Sequence, residues 1–341
     1  TGDTFGVRFG STHAANGVKI FSGGGDLRIA SEQTTSTTTN DVYGQLWYGG
    51  TQLHSGNGMV ELVNTPGVAA TGVSSYGVYI HAAAGAPISV ISTKSSGDAI
   101  KVVSTTHSTA NLSTPVLAFS SSTTDRITFN ASGGGNISMT GNAQGTGADT
   151  YSFDLNNVDL LTTTGNIRLS GNRGYWLNRL FAGSNNFGAT STTSSSGNIE
   201  LLGNRYNQNS THANNFKTTG SVTIAPLDAA AYLEATEFPK TGNTFNSVTA
   251  LTFGNDTNTQ SHTVGAALTG VTGPITFKTG AYTGTGSITT TSGPVSILSQ
   301  GTVALNANVS AGAPGVLVRS SGRITTSAGA SVAAPRSITT N

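Results

Sequence analysis

GNISMTGN at Gly135–Asn142 is the first of three similar segments, followed by GNIRLSGN at Gly165–Asn172 and GNIELLGN at Gly197–Asn204. Their isoleucines are 30 and 32 residues apart. In each copy, Ile and then Met or Leu alternate with polar or charged residues, which is the pattern of a short β-strand with one buried face. The Gly-Asn pairs on both sides are typical of turns, because Gly adopts positive φ freely and Asn tolerates it.

A strand this short cannot bury its apolar face alone, so the copies are expected to stack on one another. The predicted core positions of the repeat are Ile137, Ile167, Ile199 and Val222. The residues expected to point outward are Ser138, Arg168 and Glu200. The predicted fold class is all-β, a right-handed parallel β-helix (a solenoid), with about 15 coils of roughly 20 to 25 residues.

The pattern predicts three regions along the chain. Residues 1–225 form a β-helix whose coils are irregular at first and carry clear Gly-Asn-Ile repeats from about residue 120. Residues 226–245 are expected to leave the solenoid, with helix propensity over Leu227–Ala235 and Asp228 as the N-cap. Residues 246–341 continue the β-helix as short alternating strands.

Composition excludes several classes of function. Charged residues make up 9% of the chain and the net charge is +1, so no basic stripe is available for nucleic acid or for an anionic membrane surface. The absence of cysteine excludes disulfides, thiol catalysis and zinc–thiolate sites. No apolar run is long enough to insert in a membrane as a helix. No cofactor is predicted.

Catalytic chemistry is not predicted either. The six histidines have no metal-ligand spacing and are expected on the surface or in loops, so no metal site is predicted. Asp154 and Asp159 flank one strand and are the acidic residues best placed for acid–base cleavage of a glycan, but carboxylates are sparse. Trp47, in the most aromatic stretch of the chain, is expected to anchor a loop or cap rather than to form a ligand platform.

The predicted binding patch is aromatic and lies in the loops that follow the Gly-Asn-Ile copies. Its members are Arg173, Tyr175, Trp176, Arg179, Phe181, Phe187 and Tyr206. Exposed aromatic side chains beside arginine are favoured in binding interfaces. The alternative is that these loops pack on the solenoid as a satellite cluster, which would leave the aromatic rings buried.

Thr- or Ser-rich turns that lead into Gly-Asn-Ile, as in Thr162–Asn172 and Ser191–Asn204, resemble the filamentous haemagglutinin-like large exoproteins of Gram-negative bacteria. These are adhesin passengers of two-partner secretion, and autotransporter passengers are similar. The resemblance covers roughly residues 120–330, including the Thr- and Gly-rich segment Gly270–Ser327, but no Asn-Pro-Asn motif of the secretion module is present. It implies a β-helix exported to the cell surface or secreted, and a chain that begins at Thr1 is expected to be a mature or excised part of a longer export product.

Three functions follow as hypotheses. The first is a non-enzymatic adhesin shaft or extracellular fibre component, whose partner would be a host-cell or matrix surface or a glycan. The second is a subunit of a self-assembling extracellular filament or sheath, whose partner would be another copy of the chain. The third is a phage or bacterial β-helix that binds or cleaves polysaccharide, which a clustered pair of carboxylates in a groove would favour.

Overall fold

The computed structural model describes residues 4–10, 17–32, 41–66, 75–106, 114–121, 125–144, 150–177, 183–190, 194–208, 212–227, 230–333 and 337–340. Within these ranges the regular secondary structure consists of β-strands, numbered β1–β36 in chain order, without a helix. Accordingly, the described residues contain no helix that could cross a lipid bilayer. The strands form five sheets, named A to E, in which neighbouring strands are parallel.

Sheet A contains β1 (Thr4–Phe9), β4 (Val42–Tyr48), β7 (Ser75–Ala82), β10 (Leu117–Ser121), β13 (Phe153–Leu155), β16 (Tyr175–Leu177) and β19 (Tyr206–Gln208). Sheet B contains β2 (Lys19–Phe21), β5 (Gln52–His54), β8 (Ile88–Ser92), β11 (Ile127–Ala131), β14 (Val158–Thr162), β17 (Ser184–Gly188), β20 (Ala213–Lys217) and β23 (Asn243–Asn246). Sheet C contains β3 (Leu27–Glu32), β6 (Val60–Thr65), β9 (Asp98–Thr106), β12 (Asn136–Ala143), β15 (Ile167–Gly171), β18 (Ile199–Gly203), β21 (Ser221–Ala225), β24 (Ala250–Phe253), β27 (Ile275–Thr279), β30 (Val295–Ser299), β33 (Gly315–Ser320) and β36 (Ser337–Thr340). Sheet D contains β22 (Thr236–Glu237), β25 (His262–Val264), β28 (Tyr282–Gly284), β31 (Val303–Leu305) and β34 (Ile324–Thr326). Sheet E contains β26 (Leu268–Val271), β29 (Ile288–Thr290), β32 (Val309–Ser310) and β35 (Val332–Ala333).

The order of the strands defines a coil that passes through three sheets in turn. Up to β21 the chain visits sheets A, B and C in each coil, and from β25 onward it visits sheets D, E and C. Sheet C therefore runs through both halves, while sheets D and E succeed sheets A and B. This arrangement confirms the parallel β-helix predicted from the repeats.

The coils are fewer and longer than predicted. Sheet C has twelve strands within the described residues, which corresponds to a stack about 50 Å long rather than about 15 coils. Register partners in this sheet are 40 residues apart at Val60 and Ile100 but only 20 apart at Ile275 and Val295. The N-terminal coils are longer because their strands are longer and because more residues connect them; β9, for example, has nine residues and β30 has five.

The three Gly-Asn-Ile copies lie side by side in sheet C. Ile137 pairs with Ile167, Ile167 with Ile199, and Ile199 with Val222. All four side chains lie in the core with an exposed fraction of 1% or less, as predicted. The intervening residue Arg168 is exposed, and its register partners on β12 and β18 are partly exposed, so the predicted outward face is also present.

The first glycine of each Gly-Asn-Ile copy has a different role from the one predicted. None of Gly135, Gly165 and Gly197 adopts a positive φ. Instead, a Cβ atom on Gly165 would lie 2.1 Å from the carbonyl oxygen of Gly135, and one on Gly197 would lie 1.7 Å from that of Gly165. Glycine is required here because consecutive coils approach one another too closely for a side chain.

The predicted excursion over residues 226–245 is wrong for the residues that the structure describes. They contain β22 and β23, which belong to sheets D and B, and they contain no helix. Asp228, the expected N-cap, lies outside the described residues. Tyr232 is buried and stacks on Phe253 at 5.5 Å between ring centroids, while the Leu233 amide donates to the Asn204 carbonyl of the preceding coil. Tertiary packing overrides the local helix propensity.

Candidate binding surfaces

The structure does not form the predicted aromatic patch on the surface. Tyr175, Phe187 and Tyr206 are core residues, with exposed fractions of 1%, 0% and 4%. Arg179 and Phe181 lie outside the described residues. The sequence placed the first three in loops, whereas they lie on strands β16, β17 and β19 with their side chains directed inward.

Stacking between successive coils explains the burial of these rings. Phe187 stacks on Phe216 at 5.0 Å between centroids, and Tyr175 stacks on Phe153 at the same distance. The buried Tyr175 hydroxyl donates to the Leu202 carbonyl at 2.8 Å, so its polar atom has a partner. These rings stabilise the solenoid and are not available to a ligand.

Two members of the predicted patch remain partly exposed. Trp176 lies on the outer side of sheet A and contacts Tyr151 edge-on at 4.8 Å between centroids. Arg173 is half-buried, and its backbone amide donates to the Ser152 hydroxyl at 3.0 Å. With most of the aromatic members in the core, these two residues do not make a contiguous aromatic surface.

The acidic residues singled out in the sequence lie on different sheets. Asp154 is on β13 in sheet A, and Asp159 is on β14 in sheet B. Arg126 donates to both carboxylate oxygens of Asp159, and Asn186 donates to Oδ1 at 2.6 Å. These hydrogen bonds use both carboxylate oxygens of Asp159. This arrangement gives Asp159 a structural role.

One histidine is placed differently from the prediction. His262 is 1% exposed, and its ring stacks on Phe253 at 3.9 Å between centroids. Its Nδ1 is 3.1 Å from the Thr236 hydroxyl oxygen. Burial lowers the pKa of His262 to about 3, because an imidazolium in this apolar core would lose its hydration. Among the described residues, no group of three His, Asp or Glu side chains is arranged to hold a metal ion.

The buried imidazole predicts a pH dependence of stability. Below pH 6.5 the unfolded chain binds a proton at His262 and the folded chain does not, so the stabilisation is complete above pH 6.5 and is lost as the pH falls toward 3. Over this range, we expect protonation linked to His262 to lower the free energy of unfolding by about 1.4 kcal/mol for each unit of pH decrease. Urea unfolding at pH 7 and pH 5 measures it. Between pH 7 and pH 5, the free energy of unfolding of the variant His262→Phe should fall by about 2 kcal/mol less than that of the unchanged protein. Equal losses in both proteins would contradict the burial of a neutral imidazole at His262.

An aromatic surface does exist, on the outer side of sheet A in the first three coils. We call it the tyrosine face, and its members are Phe5, Arg8, Tyr43, Tyr48, Tyr76, Tyr79 and His81. Phe5, Tyr43 and Tyr76 are register partners on β1, β4 and β7. Their rings stack at 5.5 Å and 5.0 Å between centroids. All six rings are partly exposed.

Contacts among the rings hold the tyrosine face in one arrangement. Tyr79 packs edge-on against Tyr76 at 5.1 Å and lies parallel to His81 at 6.1 Å. The Arg8 guanidinium lies over the rings of Phe5 and Tyr48, at 5.0 Å and 5.7 Å from their centroids. The rings are therefore ordered before any partner arrives, which lowers the entropic cost of binding.

Apart from the Arg8 guanidinium, the members of the tyrosine face are uncharged near neutral pH. Burial, with smaller contributions from Tyr76 and Tyr48, raises the pKa of Tyr79 to about 12. Burial lowers the pKa of His81, which keeps the imidazole neutral. At the rim, Asp41 accepts a hydrogen bond from the Tyr43 hydroxyl at 3.1 Å. The surface thus combines apolar ring area with phenolic hydroxyls.

A sequence signal for this face exists, although it is weaker than the Gly-Asn-Ile repeat. An aromatic residue followed by glycine recurs at Phe5, Tyr43 and Tyr76, but the steps of 38 and 33 residues are unequal. The glycines are needed because a Cβ atom on Gly44 would lie 1.9 Å from Asn64 Oδ1, and one on Gly77 would lie 1.8 Å from the Ser104 hydroxyl. Trp47, between these rings in sequence, lies on β4 and is fully buried in the core, rather than anchoring a loop or cap.

Comparison with protein-family models, curated proteins and solved structures yields no match. By its fold and surface, the chain is a parallel β-helix with an ordered aromatic face on the outer side of sheet A.

Proposed function

We propose that the protein is a non-enzymatic cell-surface or secreted shaft of the adhesin type, and that the tyrosine face makes the contact with its extracellular partner. The observation that carries the proposal is the cluster of six partly exposed rings over three coils, in which Phe5, Tyr43 and Tyr76 are register partners. Tyrosine supplies a large, amphipathic contact area with few rotatable bonds, which is why it dominates many binding surfaces. The resemblance to exported adhesin passengers supports the extracellular setting.

The remaining chemistry of the chain supports a binding role over a catalytic one. Asp159 is neutralised by Arg126, and the buried His262 carries no charge at neutral pH because its pKa is lowered. The packed core of the successive coils fixes the outer side chains in a long, regular arrangement. A rigid rod that presents fixed side chains is suited to holding a contact surface away from its point of attachment.

The test is binding of the purified chain to immobilised matrix proteins and to a polysaccharide panel. The double variant Tyr43→Ala/Tyr76→Ala should bind its best partner at least about tenfold more weakly, since tyrosines in an ordered cluster are typical hot spots. The control is Thr252→Ala/Thr276→Ala, which changes an equivalent register pair on the outer side of sheet C. Equal weakening in both variants, or unchanged binding in the tyrosine variant at equal melting temperature, would contradict the proposal.

A further inference from the structure

A groove of about 300 Å³ runs along the outer side of sheet C, directly over the three Gly-Asn-Ile copies. We call it the asparagine groove. Its lining residues are Asp98, Asn136, Ile137, Ser138, Asn166, Arg168, Asn198 and Glu200. Its volume is within the range of small-molecule binding sites. The groove lies on a different sheet from the tyrosine face.

The three asparagines form a ladder of identically oriented amides. Asn136 Oδ1 accepts the backbone N–H of Asn166, Asn166 Oδ1 accepts that of Asn198, and Asn198 Oδ1 accepts that of Ser221, each at 2.9 Å. The carbonyl side of each amide is thereby fixed to the next coil. Since a carboxamide carries its donors on the opposite atom, the three Nδ2 groups point away from the backbone.

These Nδ2 groups are free donors. Asn166 and Asn198 are exposed and Asn136 is half-buried. Among the described residues, none accepts a hydrogen bond from the Nδ2 atom of any of the three. The donors repeat at the spacing of the coils, about 4.8 Å, and they are already ordered. A ligand that matches them loses little free energy to side-chain immobilisation.

The charges in the groove select against anionic ligands. Asp98 lies next to Asn136 in the register of sheet C, and Glu200 lies at the other end of the groove. Among the described residues that line the groove, Arg168 is the only cation, and it is paired with Glu200. Phosphate- or sulfate-bearing chains require an excess of cations, so a nucleic acid or a polyanionic glycan does not fit.

A peptide is also poorly matched. An extended strand presents equivalent carbonyls every two residues, about 6.6 Å apart, whereas the amide donors repeat every 4.8 Å or so. After two coils the carbonyls would be out of step with the donors. A chain of sugar rings offers hydroxyl and ring oxygens at many closely spaced positions, and hydroxyls can also donate to Asp98 and Glu200.

We propose that the asparagine groove binds a neutral oligosaccharide lying along the axis of the solenoid, with the Nδ2 groups of Asn136, Asn166 and Asn198 donating to sugar oxygens. The carboxylates of Asp98 and Glu200 accept from sugar hydroxyls at the two ends. This site is independent of the tyrosine face, so the protein has two binding surfaces on different sheets.

Aspartate substitutions separate recognition from folding. Asn166→Asp and Asn198→Asp keep the oxygen that accepts the backbone N–H of the next coil, while each replaces an Nδ2 donor group with a second carboxylate oxygen and adds one negative charge. The chain already uses aspartate in this way, since Asp26 Oδ1 accepts the Met59 amide at 2.7 Å. The matched control is Asn308→Asp, because Asn308 Oδ1 accepts the Ser331 amide at 3.0 Å outside the groove.

The experiment is an array of neutral gluco-, manno- and galacto-oligosaccharides of three to six rings, followed by titration calorimetry with the best of them. We expect the double variant Asn166→Asp/Asn198→Asp to bind at least about tenfold more weakly, with Asn308→Asp and Tyr76→Ala unchanged. Weakening by Tyr76→Ala alone would assign the glycan to the tyrosine face and overturn this site while leaving the proposed function intact. Absence of any neutral ligand, or self-association that the double variant abolishes in sedimentation, would also overturn it, the latter in favour of a second copy of the chain.

Discussion

Replacing Ile167 with aspartate is expected to lower the free energy of unfolding by at least about 4 kcal/mol. Ile167 is fully buried between Ile137 and Ile199 on the neighbouring strands. The substitution removes the apolar side chain and places a carboxylate where no described polar partner is available. Folded proteins are stable by roughly 5–15 kcal/mol, so the central coils should be close to unfolding. Chemical denaturation followed by circular dichroism measures the change.

The control is the next residue along the same strand. Arg168 points outward and pairs with Glu200, with side-chain exposures of 50% and 36%. An exposed pair of this kind contributes little, so Arg168→Ala should change the free energy of unfolding by no more than about 0.5 kcal/mol. Comparable losses in the two variants would mean that the inward and outward faces of β15 are assigned wrongly.

The second large effect is expected at glycine. Gly197→Ala places a Cβ atom 1.7 Å from the carbonyl oxygen of Gly165, and the contact is with backbone that cannot rotate away. Two coils must separate locally, which breaks hydrogen bonds between β15 and β18. We expect a loss of about 3 kcal/mol or more, in the range of a severe steric defect. Thermal unfolding and urea unfolding both report it.

A glycine elsewhere in the chain provides the matched comparison. A Cβ atom on Gly25 would have no heavy atom within 4 Å, and Gly25 does not adopt a positive φ. Gly25→Ala should therefore be neutral or slightly stabilising, because alanine restricts the unfolded chain more than glycine does. If Gly197→Ala is as well tolerated as Gly25→Ala, close approach of the coils is not the reason why glycine recurs at the start of the three copies.

The sequence predicts the fold well where one strand pattern is repeated. The three Gly-Asn-Ile copies contain both the alternation of inward and outward residues and the step from one coil to the next, so the parallel register of β12, β15 and β18 follows from them. The number of coils does not follow. It depends on the residues that connect the strands, and the step from Val60 to Ile100 is twice the step from Ile275 to Val295.

The candidate site is predicted less well, for a physical reason. Successive side chains of a β-strand point to opposite faces, so the direction of a ring depends on its position in the strand. Tyr175 and Tyr206 lie on three-residue strands, which are too short for the alternation of apolar and polar residues to show which face is buried. Helix propensity fails near Leu233 for a related reason, because hydrogen bonding to the preceding coil outweighs it. The sequence does not reveal the tyrosine face, because Phe5, Tyr43 and Tyr76 recur at unequal steps.

The asparagine of the repeat also gains a role that the sequence did not show. The Gly-Asn pattern predicts a turn residue, whereas the side-chain oxygen of this asparagine accepts the backbone amide of the next coil in each of the three copies. Aspartate fills a related position at Asp26. Asparagine differs from aspartate because it leaves an amide donor facing outward.

The most direct test of the account is whether the three copies occupy successive coils. The chain has no cysteine, so thiol pairs can be placed on the outer face and bridged with dibromobimane, which becomes fluorescent only when it joins two nearby thiols. Ser138 and Arg168 are register partners, as are Arg168 and Glu200, while Ser138 and Glu200 are two coils, about 9.6 Å, apart. The pairs Ser138→Cys/Arg168→Cys and Arg168→Cys/Glu200→Cys should bridge rapidly, and Ser138→Cys/Glu200→Cys should not. Rapid bridging of the last pair, or failure of the first two in folded protein, would contradict the stacked arrangement on which both proposed surfaces depend.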